Sequence, residues 1–405
     1  MISRIPLKCL ACEHEITARV QVSHEADQRV SSVCPQCYTP FRLRLLLTNP
    51  PHVSVEFVEN CEPRPFEGPA GSIITVGSGF LIARGRRHEE QYFPSMDMPE
   101  PTQAEIEAFI PEGYDRERDG PLMLDRVQLL GGMPMALEAW RKLRNAYRFV
   151  RTNQLARAQA PLRELMEEED EATVYSILDV LVFFAVRFLE PNGKTDLDQL
   201  LVEVGRLRET DGVEVMRLVA DFQPKLWERL DHTIEVLDQF FRGYDEFNQA
   251  FMYVRRNIDL PEDPYAPSTD FDHTRMFYGE AFEVLGSHID LLAAVNNILA
   301  GRPFDQLSAI TLAQYRTSDK GRRRATLEGN AVLRTLVEEY SNDLRNATHH
   351  RWLTLSHDRS MLSYRKGGNG EQVNLSYAEY LWRSGRITRQ LLLLMALEIM
   401  MLRDD

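Results

Sequence analysis

Two short cysteine pairs constrain this 405-residue chain more than any other feature of it. Cys9-Leu-Ala-Cys12 and Cys34-Pro-Gln-Cys37 account for four of its five cysteines. A spacing of two residues lets both sulfurs of a tight turn face one ion, and two such pairs make a closed four-sulfur site. Ile16–Val22 and Phe41–Leu47 alternate in hydropathy as strands do. The expectation is a zinc ribbon over residues 1–48, with one structural zinc ion on Cys9, Cys12, Cys34 and Cys37. Such a segment does not fold without its metal. A closed set of sulfurs leaves no open coordination position, so the ion serves as a clip rather than a catalyst. Recognition of nucleic acid or of a partner is the further role open to it. Cys61 reads as a small packed residue.

The formal net charge of -14 excludes a surface coated for non-specific nucleic-acid binding. Any RNA contact has to be a local basic patch. From Ala300 to Lys366 there are 12 Arg and Lys against 7 Asp and Glu, which makes this window the candidate. No N-terminal stretch has the make-up of a signal peptide, and the longest apolar run, Leu391 to Leu402 across Glu398, is too short to span a bilayer. The expectation is a cytoplasmic protein without membrane contact. Reduced thiols follow, which favours metal over disulfides for the paired cysteines.

Hydropathy patterning predicts a mainly α chain in four parts: the ribbon, a small β-rich segment with a linker (49–120), a helical domain (121–262) and a C-terminal helical bundle (263–405). Strands are expected at Val53–Val58, Ser72–Val76 and Phe80–Ala83, and a linker from Phe93 to Gly120. Gly77-Ser-Gly79 is too short for a phosphate loop. In the third part Tyr147, Val150, Leu155, Ala158 and Leu162 suit one buried helical side, and Val174–Leu189 is apolar nearly all round. Glu167–Glu171 reads as a solvated acidic turn, because consecutive helix positions point in different directions. After the proline-dense Leu260–Pro267, a helix is expected from Asp270 to Ala300 and another from about Arg323. Met361–Lys366 and Glu371–Leu375 flank Gly367–Gly370 as a β-hairpin. Ser376-Tyr-Ala-Glu379 has the S-x-x-E pattern of a helix start, and the helix it opens runs to about Leu402.

The functional candidate lies in Ala331–Trp352. Leu333, Val337, Tyr340, Leu344 and Ala347 step by four, three, four and three, giving one apolar helical face. Arg345, Asn346, His349 and His350 crowd the C-terminal end of that stretch. A fixed cation beside imidazoles is what phosphodiester cleavage without a metal needs, since one group takes a proton, another returns it and the charge steadies the phosphate.

Arg345-Asn-Ala-Thr-His-His350 resembles the R-x4–6-H signature of the HEPN superfamily, including the polar residue straight after the arginine. The bare spacing also occurs at Arg19–His24 and Arg351–His357. Only the Arg345 match has a buried helical face and a late position in a helical C-terminal unit. The layout of 263–405 is similar to the HEPN modules of abortive-infection and other anti-phage proteins. The resemblance implies a metal-independent endoribonuclease, regulated as a toxin or defence effector and acting as a homodimer. His350 would move protons to and from the ribose 2′-hydroxyl and the leaving oxygen, and Arg345 would hold the phosphate. Asn346 would orient His350, and His349 would be a second proton-transfer group or a phosphate contact. The alternative is an inactive HEPN-like scaffold that binds RNA or dimerises, with the ribbon as its recognition module. A regulatory protein partner is compatible with either.

Overall fold

The computed structural model describes residues 2–22, 25–47, 52–65, 71–77, 79, 81–94, 100–108, 133, 135–167, 170, 172–327 and 329–403. His24, Phe80, the expected linker beyond residue 108, and Glu168, Glu169 and Glu171 lie outside them. The fold is predominantly helical with small sheets. Contacts divide it into two units, each drawn from three separate stretches: 1–135, 243–275 and 351–385 in one, 136–242, 276–350 and 386–405 in the other. Residues 48, 120 and 262, where the sequence reading puts its borders, all fall inside these stretches.

Every strand among the described residues belongs to the first unit. Its N-terminal part is two hairpins, β1 (Ile2–Cys9) with β2 (Glu15–Gln21) and β3 (Asp27–Val33) with β4 (Pro40–Leu47). Further strands extend both. β5 (Val53–Glu59) adds to β4, β6 (Cys61–Pro63) adds to β1, and β7 (Ser72–Gly77) lies parallel to β2. Strands from both sides of residue 48 therefore share sheets, in the orders β6-β1-β2-β7 and β3-β4-β5. Ile5, Leu7, Val20, Phe41, Leu43 and Leu45 enter one hydrophobic cluster common to the two sheets. The intervening Arg44 faces outward to a two-pronged contact with Asp27 at 2.8 and 2.9 Å.

The other strands of this unit are short. β8 (Ile82–Ala83) pairs with β9 (Pro264–Tyr265), and β10 (Thr354–Leu355), β11 (Met361–Arg365) and β12 (Gln372–Ser376) form a third antiparallel sheet. The expected hairpin is thus present. Gly368 turns it at φ 84°, where a Cβ would meet the Trp352 ring at 2.8 Å. One buried carboxylate ties distant stretches of this unit together. Glu246, on the helix Tyr244–Arg255, accepts hydrogen bonds from the Thr269 amide (2.6 Å), the Thr269 hydroxyl (2.7 Å), the Asp270 amide (2.5 Å) and the Tyr377 hydroxyl.

In the second unit the central element is the helix Phe277–Leu299, buried along almost its whole length. It packs against the helices Gly193–Phe222, Leu226–Arg242 and Asn342–His349 and against the 3-10 segment Lys320–Leu327. Ile177–Phe188, capped by Ser176, buries Ile177, Val180, Leu181, Phe184, Ala185 and Phe188, which is one side rather than the whole surface. That side meets Trp140 and Phe241, whose rings stack 4.6 Å apart. No described helix is long and apolar enough to cross a membrane.

Ala331–Trp352 differs from the expectation. Leu333, Val337, Tyr340, Leu344 and Ala347 are all buried, but not along one helix. A four-residue helix, Ala331–Arg334, runs into a 3-10 turn at Thr335–Val337, and a new helix starts at Asn342. The cause is the pair of tyrosines beside the break. Tyr340 stacks on Phe282 at 3.9 Å and donates its hydroxyl to the Lys320 carbonyl at 3.0 Å. The Tyr278 hydroxyl accepts the Ser341 amide at 2.9 Å, removing that donor from a helical ladder. Ser341 then caps the new helix by accepting the Leu344 amide. Likewise, the helix expected from Asp270 is split into Phe271–Thr274 and Phe277–Leu299.

Candidate functional site

The first candidate is the four-cysteine cluster. Each CxxC forms the same knuckle. The Cys9 amide donates to the His14 carbonyl and the Glu13 amide to the Cys9 carbonyl; the Cys34 amide donates to Thr39 and the Tyr38 amide to Cys34. Glu13 and Tyr38, each straight after the second cysteine, take left-handed φ of 60° and 57°. The two knuckles bring all four sulfurs within 4.8 Å of one another. Cys9 to Cys37 is 3.8 Å and Cys12 to Cys34 is 3.6 Å. These are far beyond a disulfide bond of ~2.05 Å. They match the ~3.8 Å edge of a tetrahedron whose centre binds sulfur at ~2.3 Å. The four thiols differ in environment. Burial pushes Cys34 up to about 12. Burial also acts on Cys37, but hydrogen bonding to Thr39 and to Cys12 and Cys34 outweighs it and brings that thiol down to about 6. The residues fit one metal ion bound by four sulfurs. Cys61 is buried and pairs with Cys9 across β1 and β6 without joining the four.

The second candidate is the end of the helix Asn342–His349, in the helical unit. Arg345 donates from Nε to Glu283 Oε1 at 2.7 Å and from Nη1 to Asn346 Oδ1 at 2.8 Å. Lys320 Nζ donates to the other oxygen of Glu283 at 2.9 Å. Burial disfavours the charged form of Glu283, but Lys320 and Arg345 hold its carboxyl below the usual range. Arg345 keeps about a third of its side chain exposed. Arg322 and Arg324 are exposed on the same 3-10 segment as Lys320. His350 is exposed at the C-cap, its amide bonded to the Asn346 carbonyl. His349 packs at Gly279, where its Nε2 would lie 3.2 Å from an added Cβ, and that nitrogen is buried with no partner among the described residues. The structure thus brings Arg345 and Asn346 into direct contact and sets His349 against the central helix. Arg345 and His350 are five positions apart, an offset that turns Cα–Cβ directions about 140° apart on a helix.

Sequence reasoning missed Glu283 and Lys320. It also missed a buried network elsewhere in the helical unit. Arg229 donates to Glu398 at 3.1 Å and to Asp290 at 2.9 Å, and His288 Nδ1 lies 3.0 Å from Glu398. Arg316 bridges Asp290 and Asp221 at 2.7 and 2.8 Å. Burial alone would raise the Glu398 carboxyl, but Arg229 and then His288 take it down to about 2. Burial lowers His288, against the pull of Glu398. The signal was present in the sequence: a single carboxylate inside the apolar run Leu391–Leu402 has to find a buried cation.

The structure therefore holds two candidate sites, a four-cysteine cluster able to take a metal ion in the β-rich unit and a cation-rich helix end in the helical unit. Compared with protein families, curated proteins and solved structures, the chain matches no family model, no curated protein and no solved structure.

Proposed function

We propose that the chain is a metal-independent endoribonuclease of the HEPN type, using Arg345 to hold the scissile phosphate and His350 to transfer protons. The observation that carries this reading is the charge balance at Glu283. Two cations, Lys320 and Arg345, share one carboxylate, so the cluster keeps an excess positive charge on the helix that ends at the exposed His350. A phosphate arriving there replaces Glu283 as the partner of Arg345 through charge-assisted hydrogen bonds. One His350 takes the proton of the ribose 2′-hydroxyl as it attacks phosphorus, and a second imidazole gives a proton to the departing 5′-oxygen, leaving a 2′,3′-cyclic phosphate and a 5′-hydroxyl. DNA lacks that nucleophile. The divergence of Arg345 and His350 along one helix favours a homodimer, in which a second copy supplies the facing imidazole. Cytoplasmic action as a restrained toxin or anti-phage effector, with a regulatory protein partner, belongs to the same reading.

The four cysteines are proposed to hold one zinc ion, on the strength of an all-sulfur set at tetrahedral spacing. The ion supplies structure only.

The test is cleavage of RNA in chelator, with the metal content of the protein verified afterwards, comparing wild type with Arg345→Ala and His350→Ala. Loss of cutting in both variants with cyclic phosphate ends supports the proposal; normal cutting by both removes the site. A second reading, an RNA-binding or dimerising scaffold, is favoured by the occupation of Arg345 by Glu283 and Asn346. Wild type that binds RNA and never cuts it decides for the scaffold.

A further inference from the structure

Arg87 is a buried cation without a carboxylate in hydrogen-bond contact among the described residues. It lies in the β-rich unit, just after β8, and is 6% exposed. Its Nη1 donates to the Tyr265 hydroxyl at 2.9 Å and its Nη2 to the Ser32 hydroxyl at 3.0 Å. The guanidinium lies over the Tyr265 ring, 4.3 Å from its centroid. The carboxylate that acts on it from a distance, Asp358, is already taken by Ser356, Ser360 and Arg84. Beside Arg87 is a cavity of about 20 Å³, lined also by Ser31, Thr75, Gly77, Gln249 and Tyr265. Ser31 and Gln249 are each 7% exposed. Among the described residues, Ser31 Oγ, Gln249 Nε2 and Arg87 Nε have no hydrogen-bond partner.

We propose that this cavity binds a small monovalent anion, chloride in practice. Three features select it. The charge is right, because an uncompensated guanidinium out of water calls for a counter-ion. The chemistry is right, because N–H and O–H groups from three chain segments face a space with room for a pure acceptor. The size is right as well. One water needs roughly 10–15 Å³, so about 20 Å³ of free space leaves room for a single small ion. An anion there neutralises Arg87 and joins β3, the segment after β8 and the helix Tyr244–Arg255 through donors that otherwise have no acceptor.

The experiment uses the full chain at constant ionic strength, with chloride exchanged stepwise for gluconate, which is too large to enter. Chloride is expected to raise the unfolding midpoint saturably by about 2–4 °C. Gln249→Leu keeps the volume filled but removes a donor, and is expected to abolish most of that rise; Arg87→Gln abolishes it wholly if it folds. Crystals grown in bromide are expected to show an anomalous peak in the cavity. Equal midpoints in chloride and gluconate, an equal rise in wild type and Gln249→Leu, or a bromide crystal with only water at Arg87 would each overturn the proposal.

Discussion

Lys320 and Arg345 grip opposite oxygens of a single carboxylate, that of Glu283, at 2.9 and 2.7 Å. In the proposed ribonuclease, Glu283 thereby occupies the place of the scissile phosphate. Glu283→Gln is expected to raise RNA affinity several-fold and to steepen the dependence of log K on log salt by about one. Fluorescence anisotropy across a salt series checks this. Unchanged affinity would mean that the carboxylate does not compete with the phosphate.

Gly279 is where the central helix meets the candidate site. A Cβ there would come within 2.5 Å of Thr348 Oγ1 and 3.1 Å of the His349 ring. Gly279→Ala should displace the end of the helix Asn342–His349 at a cost of about 1–3 kcal/mol. The ring signals of His349 and His350 in NMR spectra are expected to move, and RNA cleavage to fall with them. Unmoved signals would show that the contact is slack.

Cys34→Ser should release the metal, because three sulfurs do not close a tetrahedral site. The strands around the cluster are expected to exchange amide hydrogen much faster, while the helix Phe277–Leu299 keeps its protection. Metal analysis and hydrogen exchange on the full chain read both. Retention of one equivalent of metal by the variant would contradict the four-sulfur assignment.

Arg229→Ala leaves Glu398 and Asp290 buried without their shared cation. Breaking a buried pair from one side costs roughly 3–5 kcal/mol, so the helical unit should lose a large part of its stability. Denaturant unfolding measures it. A loss under about 1 kcal/mol would place these groups in contact with water.

The same network sets a pH dependence. His288 titrates below its ordinary 6.5 in the folded state, so the unfolded chain binds that proton first and stability falls as pH drops through 6.5. Glu398 is held at about 2 against 4.5, so its contribution is complete above 4.5 and is lost as pH falls towards 2. The network's own contribution to stability should therefore decline in two stages, seen as the difference between wild type and variants of the network. His288→Gln is expected to remove the upper stage and leave the lower. An identical profile for the two proteins would rule out His288 as the upper group.

Much of this architecture could be read in advance where the signal is local. The paired cysteines, the Gly367–Gly370 turn and the Ser376 cap, whose hydroxyl accepts the Glu379 amide at 3.0 Å, depend on a few neighbouring residues. Strand β1 was hidden by Pro6, although Ile5, Leu7 and Cys9 alternate inward, and β3 by Asp27, Arg29 and its serines, which break the alternation. The apolar positions of Ala331–Trp352 were legible, but the break at Ser341 was not. It depends on Tyr278, which is 63 residues away. At the candidate site, Arg345, Asn346 and His350 could be named from spacing, whereas Glu283 and Lys320 reach Arg345 only through tertiary packing. Periodicity predicts that a face is buried, not which side chain interrupts the helix carrying it.

Each unit alternates with the other along the chain, and the β-rich one closes only at Gly385. The hydrophobic cluster of its first strands is complete by Val76, whereas its last sheet is finished only at Ser376. A protein expressed as residues 263–405 would inherit fragments of both bodies and the whole of neither.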